Sequence, residues 1–147
     1  MTDSLEDCSE EELAFWELSP SDDPLVLRDE ASAQVYDLEE RTARFGETII
    51  QFAKRIPWSP VNNRLIDQVV GAGTSVGANY CEADDGVSKA DFKHRIGTCR
   101  KEARETKFFL RMVATAEPKL KPEAREVWRE ARELHLIFSR IWRSTKT

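Results

Sequence analysis

The clearest chemical pattern in this 147-residue sequence is a set of cations between positions 93 and 111. Most of them are three, four or seven residues apart, which on a helix places them along one stripe about 27 Å long. Cations arranged in this way bind the phosphates of RNA or DNA without reading the base sequence. The candidate phosphate-binding residues are Lys93, Arg100, Lys101, Arg104, Lys107 and Arg111.

The same stripe can also be interpreted as an ordinary solvated helix face. Glu102 and Glu105 lie among these cations, and carboxylates on the same helix can pair with its basic side chains. The sequence leaves both interpretations open here. In the last helical segment acids and arginines are thoroughly mixed, and that mixture favours a solvated face.

A second group of residues could form contacts between copies of the chain. Trp128, His135 and Trp142 recur every seven residues beside the predicted core stripe of the last helix, and Tyr80 ends a second apolar stripe on an earlier helix. One apolar stripe is enough for a helix in a monomeric bundle. The extra stripes favour an oligomer interface, with a thick rim of the core as the alternative.

Metal and catalytic sites match the sequence poorly. Asp91 and His94 have the i, i+3 spacing of a metal-binding pair, but Asp91 is expected to help cap a helix. His135 has Arg132 three residues before it, where a carboxylate would be needed. With two histidines in the chain, no Ser-His-Asp or Cys-His arrangement is credible. We therefore predict a non-enzymatic protein without a metal or a cofactor.

The cysteines and the apolar runs indicate the cellular compartment of the protein. Cys8, Cys81 and Cys99 are odd in number and widely spaced, which fits neither a disulfide framework nor a zinc site. Cys81 and Cys99 are expected to be small buried apolar residues. No apolar run reaches the roughly 18 residues of a membrane span, and the acidic N-terminus is unlike a signal peptide. These features predict a cytoplasmic protein with no membrane partner.

The glycine-rich stretch at residues 71–83 decides the fold class. Gly71, Gly73 and Gly77 lack the spacing and the lysine of a phosphate-binding loop. Apolar residues instead recur at steps of four and three, at Leu65, Val69, Ala72 and Val76. This is one stripe of a helix, and the glycines indicate that a neighbouring helix approaches closely.

The same periodicity predicts four helices, at about residues 35–56, 60–82, 89–116 and 122–143. Pro57 ends the first helix. Ser59 caps the second, with Pro60 at its first position. Ser88 and Asp91 form a capping box for the third. No segment alternates with a period of two, so the chain is predicted to be all-α, an antiparallel up-down-up-down four-helix bundle.

The charge distribution divides the chain into an acidic tail, residues 1–34, and a helical domain, residues 35–147. Residues 1–40 hold 14 acidic residues and one arginine, a net charge of −13, whereas the rest holds 13 acidic and 21 basic residues, a net charge of +8. The tail is predicted to be largely flexible, with a short helix at 9–18 where Ser9 and Glu12 fit a capping box. The asymmetry indicates a polyanionic partner, or a tail that lies on its own basic domain.

Three segments resemble one protein family: GTSVGANYCEA at 73–83, SKADFKHRIG at 88–97 and KEARET at 101–106. They are similar to the signature of the four-helix bundle proteins encoded in intervening sequences of bacterial 23S ribosomal RNA genes, also called S23 ribosomal-protein-like. The resemblance covers about residues 35–145. That family is similar in architecture to the accessory variability protein of diversity-generating retroelements, a pentamer that binds nucleic acid and a reverse transcriptase. The resemblance therefore implies a homopentamer that is not an enzyme.

Two functional hypotheses follow. The first is a homo-oligomeric scaffold that binds the RNA or DNA backbone through basic helix faces. The alternative is a protein-interaction scaffold, for example an accessory subunit of a reverse transcriptase in a diversity-generating retroelement. The long acidic tail departs from the compact pattern of the family.

Overall fold

The computed structural model describes residues 8–19 and 37–147, which belong to two separate compact units, Met1–Tyr36 and Asp37–Thr147. In the first unit a short helix, α1 (Glu10–Phe15), lies where the sequence predicts one. Ser9 Oγ accepts a hydrogen bond from Glu12 N at 3.1 Å and so caps this helix. The remainder of the predicted tail lies outside the described residues.

The second unit consists of four long helices. These are α2 (Leu38–Ala53), α3 (Pro60–Asp84), α4 (Lys89–Ala116) and α5 (Lys121–Ser144), with a 3-10 turn at Pro118–Leu120 before α5. Helix α3 packs against α2 and α4, and α5 packs against α4 and α2. No strand occurs in the two described ranges, so the all-α prediction is confirmed.

Side-chain caps explain where three of these helices begin. Ser59 Oγ accepts from Asn62 N at 2.9 Å, and Ser88 Oγ accepts from Asp91 N at 3.0 Å. Asp37 Oδ1 accepts from Glu40 N and caps α2 in the same way. Helix α2 therefore begins at Leu38, three residues after the predicted start at residue 35. Helix α2 also ends early, because the chain tightens into i, i+3 turns between Ala53 and Ile56 before Pro57.

The core of the second unit lies along one stripe of each helix. The residues on these stripes follow the spacing of three and four that the sequence predicts, and burying each large apolar side chain stabilises the fold by about 1.5–3 kcal/mol. The largest apolar side chains that are fully buried there are Ile49, Val69, Val76, Ile96, Leu110, Val113, Trp128, Leu134 and Phe138.

The glycine run forms the close contact between α2 and α3. A Cβ atom on Gly73 would lie 2.6 Å from Ile49 Cγ1, and one on Gly77 would lie 3.0 Å from Thr42 Oγ1. The distance at Gly73 is shorter than a Cβ atom tolerates, and the distance at Gly77 would require Thr42 to move by a few tenths of an ångström, so the glycines allow the two helices to approach this closely. The prediction of a small-residue helix face, rather than a phosphate-binding loop, is confirmed.

Gly73→Ala is expected to destabilise the chain by about 1–3 kcal/mol, because the new methyl group would overlap the branched side chain of Ile49. Gly71→Ala is the matched control, since no atom lies within 4 Å of its added Cβ. That control should stabilise the helix by about 0.5–1 kcal/mol. Thermal unfolding of both variants checks the pair, and equal shifts of the two midpoints would contradict the close packing at Gly73.

Candidate nucleic-acid interface

The cations predicted on α4 lie beside tryptophans of α5. Lys93 and Arg100 are placed over the ring of Trp142, and Lys107 is placed over the ring of Trp128. Because the two tryptophans are 14 residues apart on α5, they divide the predicted stripe into two regions. These regions differ in exposure and in chemistry.

The first region, called the Trp142 cluster, consists of Lys93, Gly97, Arg100 and Trp142. Lys93 Nζ is 4.4 Å from the centroid of the indole, and Arg100 Cζ is 4.3 Å from it. A Cβ on Gly97 would lie 3.1 Å from the indole Nε1, so the glycine makes room for the ring against α4. All four residues are half-buried, and the cluster therefore reaches the surface.

The second region is covered. Trp128 is 1% exposed, and Lys107 and Arg132, the two cations near its ring, are each 3% exposed. Lys107 was expected in an exposed phosphate-binding stripe, but α4 buries a wider face in its C-terminal half, including Thr106, Lys107 and Leu110. Lys107 and Arg111 also have interactions with other residues.

Four of the six predicted cations have no ion-pair partner. In the described part of the chain, no carboxylate lies within ion-pair distance of these four residues, which we call the cationic face: Lys93, Arg100, Lys101 and Arg104. Two of these residues, Lys101 and Arg104, are exposed. The other two, Lys93 and Arg100, are half-buried and lie against Trp142. No ion pair in these ranges therefore cancels the charge of this face.

Several cations elsewhere form ion pairs. Arg41 binds Glu130 at 2.7 Å and Glu133 at 3.0 Å, and Arg95 binds Glu82 at 2.6 Å. The Arg95 pair agrees with the expectation that Glu82 forms an ion pair with an arginine of the following helix. On α5, Arg129 and Glu126 pair at helical spacing, 3.8 Å apart, as expected for a mixed solvated face.

The two acids in this part of α4 form no ion pair with its cations. Glu102 and Glu105 are both half-buried, and neither forms an ion pair with Arg100, Lys101 or Arg104 within the described ranges. Burial raises the pKa of Glu102 and the charge of Glu105 raises it further, whereas the charge of Lys101 acts in the opposite direction without cancelling the rise. On α5 only the Arg129–Glu126 pair among the described contacts fits the solvated-face interpretation, and no such pair is found in the first half of α4.

Two of the four residues predicted for an oligomer interface are buried within the chain, and Tyr80 and Trp142 are half-buried. Trp128 and His135 are buried, and the ring of Tyr80 packs at 5.8 Å from that of Phe138. Burial raises the pKa of Tyr80, and the nearby carboxyl of Asp84 adds to this. Residues 131–136 of α5 are all buried, so the extra apolar stripe serves burial within the chain at this level rather than an exposed surface.

The cysteines differ from one another in exposure. Cys99 is fully buried, as expected, whereas Cys81 is exposed with its Sγ 3.9 Å from Glu39 Oε1. The expectation that Cys81 is buried is therefore wrong, because it lies one step off the α3 core stripe. Burial raises the pKa of Cys99 to about 12.

Iodoacetamide at pH 8 is expected to alkylate Cys81 and to leave Cys99 unmodified until the chain is unfolded. At a pKa of about 12, only about one Cys99 thiol in ten thousand is ionised at this pH, and the thiolate is the reactive form. Peptide mass spectrometry measures both rates in one sample. Equal rates of alkylation at the two cysteines would contradict the buried position of Cys99.

The described residues lack two other kinds of site. They contain no group of three His, Cys, Asp or Glu side chains that could hold a metal ion. None of their helices combines the length and the apolar character needed to cross a bilayer.

Comparison with solved structures shows what the fold resembles. The chain is similar to the crystal structure of a protein of unknown function from the S23 ribosomal protein family of Bacteroides thetaiotaomicron, with a TM-score of 0.64 and 24% sequence identity. The match covers 72% of this chain and 98% of that one. No protein-family profile matches the chain, and no curated protein does. The chain therefore has the helical fold of this S23-family protein.

Proposed function

We propose that this protein is a non-enzymatic, homo-oligomeric scaffold that binds the backbone of RNA or DNA through the cationic face of α4. The observation that carries the proposal is the grouping of four cations without carboxylate partners within twelve residues of one helix, in the described ranges. Arg41, Arg55 and Arg95, in contrast, each contact a glutamate. Unpaired cations on one surface attract a polyanion and release its counterions.

The C-terminal end of α5 extends the positive charge. Residues 137–147 include Arg140, Arg143 and Lys146 but no aspartate or glutamate. Trp142, which belongs to this segment of α5, contacts Lys93 and Arg100 of the cationic face. These residues favour a surface that contacts phosphates along several nucleotides rather than a pocket for one small anion.

Binding of the native chain to labelled RNA, single-stranded DNA and duplex DNA tests this proposal. Fluorescence anisotropy should show binding to all three at 50 mM salt with little sequence preference. For four contacts to single-stranded phosphates, the affinity should fall about fiftyfold when salt rises from 50 to 200 mM. No binding at 50 mM, or an affinity that does not depend on salt, would contradict the proposal.

The antiparallel up-down-up-down arrangement of α2 to α5 is part of the proposal. It is supported by contacts whose residue numbers rise on one helix and fall on its neighbour. Gly73 approaches Ile49 whereas Gly77 approaches Thr42. Short connections between consecutive helices, such as residues 85–88, agree with this arrangement.

The oligomer is supported by large apolar side chains that remain in contact with solvent. Trp58 is 85% exposed, Val61 is 64% exposed and Phe108 is 57% exposed. Covering such side chains with a second copy of the chain would stabilise the assembly by removing apolar area from water. The resemblance to the intervening-sequence proteins implies five copies. These side chains replace Trp128 and His135 as the proposed interface, since those two are buried.

Light scattering tests the assembly, because one chain has a mass of 16.9 kDa. The native protein should have a mass several times this value, and the double variant Trp58→Ser with Phe108→Ser should dissociate. The exposed Val87, in the connection before α4, provides the control Val87→Ser, which should leave the mass unchanged. A native mass equal to one chain would exclude the oligomer.

A groove between α2 and α3 favours the alternative, a protein-interaction scaffold. It encloses about 570 Å³ and contains the exposed side chain of Ile50. Its acidic residues would suit a helix with lysines and arginines beside an apolar ridge, and the accessory role toward a reverse transcriptase is one such case. The acidic residues of this groove are Asp37, Glu39, Glu40 and Glu47.

A further inference from the structure

We infer that Trp142 is a positioning residue that holds Lys93 and Arg100 as a two-pronged site for the phosphates of a nucleic-acid strand. This inference rests on the proposed function and identifies the part of the cationic face where phosphate binds best. The site consists of two cations on α4 and one aromatic ring from α5. Neither helix has the site alone.

The geometry places the indole between the two cations. Lys93 and Arg100 are seven residues apart, about 10.5 Å along the helix axis, yet their charged groups lie 4.4 and 4.3 Å from one ring centroid. Gly97 is located between them, and the Nε1–Cδ1 edge of the ring faces it at 3.1 and 3.3 Å from an added Cβ. The ring therefore enters edge-first at Gly97, and one cation lies on each side.

An aromatic ring holds these cations without cancelling their charge. A carboxylate at this position would pair with Lys93 or Arg100 and reduce the net charge of the face. The indole attracts both cations through its electron-rich faces and accepts none of their strong hydrogen bonds. An ammonium keeps three N–H donors and a guanidinium keeps five, so most of these donors can contact phosphate oxygens.

Holding the side chains in place should strengthen binding. A long lysine or arginine loses rotamer freedom when it contacts a phosphate, and this loss opposes binding. Trp142 restricts both side chains before the ligand arrives. Lys101 and Arg104, in contrast, are exposed, and neither lies over an aromatic ring in the described ranges.

Because Lys93 and Arg100 cover the faces of the Trp142 ring, the site should recognise the phosphates of a nucleotide rather than its base. A base that stacked on Trp142 would have to displace Lys93 or Arg100 from the ring. The phosphates can bind without any displacement. Inorganic polyphosphate, which has no bases, should therefore compete with a labelled 20-nucleotide RNA for this site.

Two substitutions that change no charge test the inference. Trp142→Leu removes the ring, and Gly97→Leu fills the space that the ring occupies and introduces a better helix former than glycine. Each should weaken binding of the 20-nucleotide RNA about fivefold at 75 mM salt, because both cations would then have to be ordered on binding. Trp142→Phe keeps an aromatic face and should lose less than twofold. The salt dependence should stay unchanged, because no cation is removed.

The comparison with a charge variant separates this inference from the proposed function. Lys93→Gln with Arg100→Gln should weaken binding and reduce the salt slope by about 1.4 for single-stranded RNA. If that variant binds weakly but Trp142→Leu and Gly97→Leu bind like the native chain, the positioning role is excluded and the proposed function stands. If the native chain binds no RNA at all, both are excluded. Should Trp142→Leu fail to fold, Gly97→Leu and Trp142→Phe still give the comparison, and circular dichroism confirms their fold.

Discussion

Replacing the four residues of the cationic face by glutamine is expected to weaken binding to RNA and DNA by at least about a hundredfold at 50 mM salt. These residues are Lys93, Arg100, Lys101 and Arg104. Each phosphate contact releases counterions from the nucleic acid, and a lost contact no longer does so. The magnitude of the slope of log affinity against log salt should therefore fall by about 2.8 for a single strand. Fluorescence anisotropy over a salt series measures both quantities.

The control for this experiment removes the same charge from other surfaces. It replaces four exposed cations, of which Arg44 pairs with Glu40 at 3.0 Å in an i, i+4 contact. If binding depended only on total charge, this variant and the first would weaken binding equally. The structure instead predicts a loss of less than about tenfold for the control. The four control residues are Arg44, Lys54, Arg64 and Lys119.

Arg41→Leu is expected to lower the stability of the second unit by about 2–3 kcal/mol. The guanidinium donates two hydrogen bonds to Glu130, at 2.9 and 2.7 Å, and one to Glu133 at 3.0 Å. Arg41 and Glu133 are 20% and 10% exposed, so water would replace the lost contacts poorly. The unfolding midpoint should fall by about 10 °C, as a 2–3 kcal/mol loss implies for a domain of this size.

Two further variants define the cause of that loss. Arg44→Leu removes an arginine whose pair with Glu40 is largely exposed, and its stability should stay within about 0.5 kcal/mol of the native value. Arg41→Lys keeps the charge but cannot bind Glu130 with two parallel hydrogen bonds, so it should lose about half as much as Arg41→Leu. A midpoint for Arg41→Leu within 2 °C of the native chain would show that the link between α2 and α5 is unimportant.

Local chemistry predicts the helices well. Ser59 and Ser88 accept the hydrogen bonds that the capping pattern requires, and α3 and α4 begin at the next residues. The glycine run is also predictable, because Gly73 and Gly77 interrupt an apolar helical stripe where a neighbouring helix could approach. These features depend on residues a few positions apart, and so a single segment of sequence contains the information.

The exposure of the cationic stripe could not be predicted in the same way. Lys107 continues the spacing of Arg100 and Arg104, yet it is 3% exposed and they are not buried. How wide a face a helix buries depends on the side chains of its neighbours, and here Trp128 of α5 widens it. The periodicity of α4 alone carries no information about that contact.

The Trp142 cluster was missed for a related reason. The sequence pattern marks Trp142 only as a member of a seven-residue repeat on α5, and it assigns no role to Gly97. Their contact joins residues 45 positions apart, and it depends on how α4 and α5 pack against each other. One sequence signal was available: a glycine flanked by cations four residues before and three residues after it leaves room for an aromatic ring.

Lysine footprinting tests the location of the nucleic-acid interface most directly. The native chain is treated with acetic anhydride at 50 mM salt, with and without a saturating 20-nucleotide RNA, and acetylation of each lysine is measured by mass spectrometry. We expect RNA to protect Lys93 and Lys101 severalfold and to leave the exposed Lys54 and Lys119 unchanged. Equal protection of all four lysines, or RNA binding that leaves Lys93 and Lys101 fully reactive, would contradict binding at the cationic face.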